Sequence, residues 1–420
     1  MIITVPFFYF SLLTFYLYRK SKQIDIPVLM SSMYAICGLF SIFVEILNLR
    51  YGDSYSYTIT PSASFAYCGL LTLTMLPLII YRQPSLKRIK SFSNDKFLRR
   101  LAYVSVVWFL LSSVLQYDAI MRVLTGDMGE IRTSIYKGDL GEDWMLRMPA
   151  PLRYLYTLIR LVVGCPWTMI FLAFFSRYVQ LMPQKFFYMF LLVSFSGPFN
   201  GIIGADRSAT AYWIIAFFTI YNLFRNHMTE SDKKGVRKIG YILAILMFFY
   251  LSAMTISRFG NNATSSGMNS SESSLISYFG QNYFNFCYYF ENYEPPFTHL
   301  GILFPFTSQF IFGIPSGGTV IQMQMDMLTG YTTGVFYTFI GQIIISAGKS
   351  VAIIFCILMS LSGFLCMSKI NKQASISASS LYLYYAYSSV ILFGLFVHYY
   401  ATFFLTTSLI CIYILLKLKK

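Results

Sequence analysis

Eight arginines, Arg50, Arg122, Arg132, Arg147, Arg153, Arg160, Arg207 and Arg258, together with Lys137 and Lys349, punctuate a chain that is 56% apolar and only 12% charged. A guanidinium is a planar fork of donors that grips phosphate oxygens two at a time and stays charged at any relevant pH. The chemistry these residues suit is capture of an anionic, phosphate-bearing ligand. Arg207 is the sharpest case. It closes the stretch Gly197-Pro198-Phe199-Asn200-Gly201-Ile202-Ile203-Gly204-Ala205-Asp206-Arg207-Ser208, which joins two apolar runs with almost no loop. Glycine and proline loosen the first run, and Arg207 opens the second, where a helix start offers unpaired N–H donors to an anion. Its alternative uses are pairing with Asp206 or reaching lipid phosphate.

Four further places carry similar chemistry. Arg153 and Arg160 are seven residues apart, hence on one helix face and separated by ~10 Å along its axis. An arginine at membrane depth needs a polar cavity or a partner; Arg160 therefore faces the interior, to bind substrate or to pair with an acid such as Glu45. Arg258, in Ser257-Arg258-Phe259-Gly260, and Arg132, in Gly129-Glu130-Ile131-Arg132, are each followed by a glycine, Gly267 and Gly141, with eight residues between. His398, in Val397-His398-Tyr399-Tyr400, titrates near neutrality and suits a proton acceptor or a sugar hydrogen-bond donor, or else an aromatic belt. Finally, Ser277-Tyr278-Phe279-Gly280-Gln281-Asn282-Tyr283-Phe284-Asn285-Phe286 interleaves amides with aromatic rings. Tyr278, Gln281 and Asn285 there suit a glycan as well as they suit an interfacial helix.

The elements that position these residues are dictated by hydropathy. Soluble domains carry roughly 25% charged residues; this chain of 420 residues has half that and a mean hydropathy of +0.58, which excludes a soluble globular protein. A spanning helix needs about 20 mostly apolar residues. Eleven such runs are predicted: Ile2 to Tyr18, Val28 to Leu47, Ser62 to Tyr81, Leu101 to Gln116, Leu152 to Phe175, Phe187 to Gly204, Ala209 to Phe224, Ile239 to Ser257, Val351 to Met367, Ser379 to Val397 and Ala401 to Leu416. The expected fold is an all-α polytopic membrane protein forming one domain. The first run lacks a basic lead-in and a small-residue cleavage site, which reads as an uncleaved anchor.

Orientation follows from the basic residues. With Arg19 to Lys22 on the cytoplasmic side, alternate loops collect 22 of the 32 Lys and Arg against four acids, a balance of +18; the remainder of the chain has ten basic residues and thirteen acids, a balance of −3. The net charge of +15 is thus topological, and nucleic acid is not needed to explain it. The N-terminus is expected outside and Lys417, Lys419 and Lys420 inside. Two long loops then fall on the outer face, 117–150 and 258–350. Within the second, the apolar segments Gly301 to Pro315 and Gly334 to Ser346 read as short interfacial or re-entrant helices.

Seven cysteines show no CxxC spacing and no disulfide or metal framework, and none of the P-loop, dinucleotide, HExxH, GxSxG or DxD patterns is present. A substrate that arrives already activated fits these absences. A polyprenyl-pyrophosphate sugar needs a membrane for its lipid and arginines for its pyrophosphate, which is a good leaving group.

The Arg207 turn, the Ser257-Arg258-Phe259-Gly260 end followed by Ser274-Leu275-Ile276-Ser277-Tyr278-Phe279-Gly280-Gln281, and Phe339-Ile340-Gly341-Gln342 leading through Gly348 into a span carry a resemblance. In these segments and in its layout the chain resembles the Wzy-type O-antigen and oligosaccharide repeat-unit polymerases of bacterial inner membranes. The resemblance implies a metal-independent glycosyltransferase, needing no cofactor, on the periplasmic face. Its donor is a glycan on undecaprenyl pyrophosphate, and its acceptor a hydroxyl of the incoming lipid-linked repeat unit. In that scheme Arg207 and Arg258 hold pyrophosphate, Arg132 assists, and His398 or an acid such as Glu291 takes the acceptor proton. The family spacing from Arg to Gly is ten residues, where this chain has eight. Membrane lipid, a chain-length regulator and a flippase are the implied partners. An O-antigen ligase, differing only in acceptor, and a lipid-linked oligosaccharide flippase are the competing readings; the absence of internal repeats and the one-sided loops weigh against the flippase.

Overall fold

The computed structural model describes residues 2–50, 54, 56–81, 88–93, 95–118, 120–121, 149, 151–152, 155, 159, 163, 165–203, 208–260, 271–294, 326–327, 330–331, 337–396 and 413–416. The described chain is helical almost throughout. Among the described residues, six stretches are long and apolar enough to cross a membrane: Ile2–Ser21, Ile26–Ile46, Pro61–Ile80, Lys96–Leu115, Gln184–Ile203 and Phe339–Lys372. Each coincides with one of the eleven predicted runs. Helices also overlap four others, at Pro166–Tyr178, Ser208–Phe224, Glu230–Gly260 and Ala378–Phe393; the run expected as one span from Leu152 to Phe175 is interrupted at Cys165, whose extended backbone caps a new helix starting at Pro166. The last predicted run lies almost wholly outside the described residues.

The distribution of side chains is that of a protein solvated by lipid. Phe8, Leu12 and Phe15 on the first helix, Val107, Leu110 and Val114 on the fourth, and Leu358, Leu361 and Leu365 near the end of the 34-residue helix are all exposed. Ser31, Ser41, Thr74, Ser105 and Ser194 are buried. Apolar stripes of this size facing outward and small polar groups facing inward are what helix packing in hydrocarbon requires.

By compactness the chain divides into two units. The first comprises Met1–Pro84, Glu272–Gln373 and Ala386–Phe403. It contains helices α1 (Val5–Ser21), α2 (Ile26–Ile46) and α3 (Pro61–Ile80). Asp25 caps α2 by accepting the Val28 N–H at 3.1 Å, Thr60 caps α3 by accepting that of Ala63 at 3.3 Å, and prolines in both first turns have no N–H to satisfy. The Phe10 ring of α1 lies 5.4 Å from Tyr34 of α2 and 6.4 Å from Tyr67 of α3.

The second unit comprises Ser85–Ser271, Ala374–Tyr385 and Phe404–Lys420. It holds α4 (Lys96–Leu115), α5 (Pro166–Tyr178), α6 (Gln184–Ser194), α7 (Ser196–Ile203), α8 (Ser208–Phe224) and α9 (Glu230–Gly260). Its core is aromatic: Phe171 stacks on Phe175 at 6.3 Å and meets Tyr382 edge-on at 5.0 Å, Phe174 meets Phe217 at 5.7 Å, and Trp213 Nε1 donates to Ser194 Oγ at 3.0 Å. Among the described residues the strands form one short parallel pair, β1 (Arg88–Ile89) with β2 (Ser375–Ile376). Beside it the Gln180 amide imitates a strand, accepting from Phe92 N at 2.8 Å and donating to Phe92 O at 3.0 Å.

Two helices of the first unit complete the frame of the site. α10 (Ser271–Asn292) occupies part of the stretch expected as an outer loop and packs against α2 and α3. Gly280 brings its backbone against Phe40, Phe279 stacks on Phe40 at 5.1 Å, and Ser41 Oγ donates to Gly280 O at 2.8 Å. Tyr283 donates to Ser64 Oγ at 2.9 Å, and its ring and that of Phe286 meet Tyr67 at 5.1 and 5.2 Å. α11 (Phe339–Lys372) is two helices joined at Gly348, whose φ of 87° and ψ of 165° only glycine adopts without strain. The segment expected as a separate interfacial helix at Gly334 to Ser346 is therefore, from Phe339 on, the short arm of this element, with Phe339 to Ser346 all buried. The other expected segment, Gly301 to Pro315, lies outside the described residues. α12 (Ala378–Phe393) belongs to the second unit as far as Tyr385 and to the first from Ala386 on.

Candidate functional site

The sequence nominated residues that fall in different parts of the chain. Arg132, Arg160, Arg207 and His398 lie outside the described residues. Arg258 lies in the last turn of α9, where the backbone alone is described. The four others, Tyr278, Gln281, Asn285 and Glu291, are on α10 and can be placed.

Gln281 and Asn285 are buried at 7% and 2% exposure, and Asn285 Oδ1 accepts from Ser54 Oγ at 2.9 Å. Tyr278 is half-buried. The amides that the sequence offers to a glycan are thus turned into the unit, because α10 uses this face to fit between its neighbours. Asn282, which donates to Leu395 O at 3.1 Å, does the same on the adjacent face.

Glu291 behaves differently. Near the C-terminal end of α10 it meets the segment linking α2 to α3, where Tyr57 and Thr60 donate hydroxyls to its carboxylate and Ser62 Oγ donates at 2.5 Å. Partial burial works to raise its pKa, but the hydrogen bonds from Ser62, Thr60 and Tyr57 and the charge of Lys349 prevail, and its pKa falls below the ordinary carboxylate value. Glu291 is therefore ionised and accepts hydrogen bonds. Burial and the bond to Glu291 act on the Tyr57 phenol in the opposite sense, raising its pKa, so it remains a donor.

The same linking segment is held by Arg50. Its Nε donates to Glu45 Oε2 at 2.6 Å, its Nη2 pairs with the same oxygen at 2.5 Å, and its Nη1 donates to Tyr57 O at 2.5 Å. The guanidinium lies over the Phe284 ring of α10, 4.5 Å from the centroid, with the Arg50 side chain 11% exposed. Arg50 is thus a structural cation, and Glu45, which the sequence offered to Arg160, is engaged by Arg50.

Sequence reasoning did not single out Tyr57, Thr60, Ser62 or the tyrosines that surround Glu291. Tyr57 meets Tyr288 at 5.5 Å, Tyr288 meets Tyr331 at 5.8 Å, and Tyr331 meets Tyr293 at 5.2 Å, all edge-to-face. With 34 tyrosines in the chain no local pattern marks these few; the one available signal is Tyr288 standing three residues before Glu291, on the same helix face. Among the described residues, no three His, Cys, Asp or Glu side chains come together as a metal ion requires.

No family model, curated protein or solved structure matches this chain.

Proposed function

We propose that the protein is an oligosaccharide repeat-unit polymerase, a metal-independent glycosyltransferase that takes its donor from undecaprenyl pyrophosphate on the periplasmic face of a bacterial inner membrane. The feature that carries this reading is the group of arginines that the positive-inside reading assigns to the acidic outer side, leaving aside Arg50, which Glu45 engages; among them Arg207 immediately precedes Ser208, the first residue of α8, in sequence, and Arg258 lies in the last turn of α9. The membrane-spanning helices support it, since a polyprenyl donor must be approached from within the bilayer.

In this mechanism the bond between the anomeric carbon of the donor glycan and the pyrophosphate oxygen breaks, and the pyrophosphate leaves with the electron pair. A hydroxyl oxygen of the acceptor repeat unit forms the new glycosidic bond, and its proton passes to His398. Arg207 and Arg258 stabilise the charge that grows on the leaving pyrophosphate, a contribution that a fixed donor makes mainly in the transition state. Arg132 and Arg160 assist in holding the anion. Glu291, already ionised, orients a sugar hydroxyl.

The test is the surface glycan of a strain that depends on this gene. Arg207→Lys and Arg258→Lys should each collapse the ladder of chain lengths to single repeat units while the protein remains in the membrane. Unchanged ladders overturn the assignment of these arginines, and loss of single units as well replaces the polymerase with a flippase.

A further inference from the structure

Three tyrosines and a carboxylate converge at one end of the first unit. Tyr57, Tyr288 and Tyr331 are each half-buried, and their rings run edge-to-face from the α2–α3 link across α10 to residue 331. Behind them, Tyr289, Tyr293 and Tyr337 are 0–4% exposed and pack in the same manner, Tyr289 meeting Tyr293 at 5.5 Å and Tyr337 at 6.2 Å. Tyr331 is pinned further by donating to Asn292 O at 2.9 Å. A set of rings fixed on one side and partly open on the other is a preformed stacking surface, which costs little ordering when a ligand arrives.

The carboxylate beside the rings selects the ligand. Oε1 of Glu291 accepts from Thr60 and Ser62 and Oε2 from Tyr57, whereas an ionised carboxylate offers about four acceptor positions. Among the described residues Oε2 accepts from Tyr57 only, which leaves it a second position for a ligand hydroxyl, and a hydroxyl bonded to a charged oxygen is held about twice as strongly as one bonded to a neutral oxygen. Ser62 is exposed, so the site opens on that side. The charge of Lys349 already bears on Glu291, which disfavours a cation in the cage and favours a neutral ligand. A neutral molecule with apolar C–H faces and a rim of hydroxyls is a pyranose.

We infer that Tyr57, Tyr288, Tyr331 and Glu291 form a saccharide-binding platform, on which one sugar ring stacks while donating a hydroxyl to the Glu291 carboxylate. The choice of a glycan as ligand rests on the polymerase reading, and the platform would be a subsite for a sugar of the lipid-linked chain.

The experiment uses the full chain in lipid nanodiscs, free of sugar-based detergent, and saturation-transfer NMR with the methyl glycosides of glucose, galactose, rhamnose and N-acetylglucosamine, with choline included as the cationic probe. Transfer to the ring protons of at least one sugar is expected, reduced at least about fivefold in Tyr288→Leu and in Glu291→Gln and retained in Tyr288→Phe. Should Tyr288→Leu lose its monodisperse behaviour, Glu291→Gln and Tyr57→Leu carry the comparison. No transfer to any sugar, transfer that the variants leave unchanged, or transfer to choline in place of the sugars overturns the platform. The glycan ladder separately reports on the polymerase: ladders lost with the gene but sugar transfer unaffected by the variants would remove the platform and leave the polymerase.

Discussion

The guanidinium of Arg50 lies 4.5 Å from the centroid of Phe284, so a residue just after α2 is clamped to the middle of α10. The contact joins elements more than two hundred residues apart in the chain. It also lets one cation serve a carboxylate, a backbone carbonyl and an aromatic face together. Arg50→Met removes the donors to both Glu45 and Tyr57 O and should cost on the order of 1–3 kcal/mol; the lower end applies because Glu45 is 39% exposed and water replaces part of the loss. Arg50→Lys should recover less than half, since an ammonium cannot form the planar fork. Thermal unfolding of the purified protein in detergent reads both. A lysine variant as stable as the native protein would contradict this account.

The close approach at Gly280 gives a second prediction. A Cβ there would come within 2.6 Å of Phe40 O and 2.7 Å of Phe40 C, both backbone atoms that cannot move without shifting α2. Gly280→Ala should destabilise by roughly 1–3 kcal/mol through overpacking. Gly69, on α3, has nothing within 4 Å of the same added atom, and Gly69→Ala should be neutral or slightly stabilising because it only restricts the unfolded chain. Equal effects of the two substitutions in the same unfolding assay would remove the packing argument.

The legible and illegible parts of this fold separate along physical lines. α2 and α3 are visible as apolar runs, and their starts fall within two residues of Val28 and Ser62 as read from hydropathy. The difference is Asp25 and Thr60, which extend each helix backward by capping it ahead of a proline. α10 is not visible as a packed helix, because Ser, Gln, Asn and Glu lower its hydropathy to that of a loop, and what buries it is Gly280 and Ser41 meeting across a helix contact. Glu45 and Arg50 are five apart across a helix end, where spacing alone says nothing of pairing. Glu291 could be nominated from its type, but its three hydroxyl donors come from a segment 229–234 residues earlier, and only the fold brings them together.

The kink in α11 supplies a third prediction. Gly348 at φ 87°, ψ 165° occupies a region open essentially to glycine, between a buried short arm and a long arm that faces outward at Leu358 and Leu361. Gly348→Ala should therefore cost ~1–3 kcal/mol in strain and lower the amount of folded protein recovered from membranes. Gly235→Ala, in a helix with nothing within 4 Å of the added atom, is the matched control. Equal recovery of the two variants would show that the chain bends at Gly348 without needing glycine there.

The carboxylate of Glu291 makes stability depend on pH in a defined direction. Its folded pKa lies below the ordinary value of 4.5: burial pulls it upward, but the hydrogen bonds donated by Ser62, Thr60 and Tyr57 and the charge of Lys349 outweigh that pull. A group whose pKa is depressed on folding contributes stability that is fully present above the unfolded value and is lost as pH falls through the folded one. Removing the charge with Glu291→Gln should thus lower the unfolding temperature near neutral pH, and the gap between native and variant should narrow as the pH is taken below the ordinary carboxylate value and the native carboxylate takes up its proton. Tyr57→Phe, which deletes one donor to the carboxylate, should move the midpoint of that narrowing toward higher pH, because the folded carboxylate then lies closer to its ordinary value. A gap that stays the same size as the pH falls would mean that the three hydroxyls hold Glu291 equally well when it is neutral, and that its charge does not contribute to fastening the link between α2 and α3.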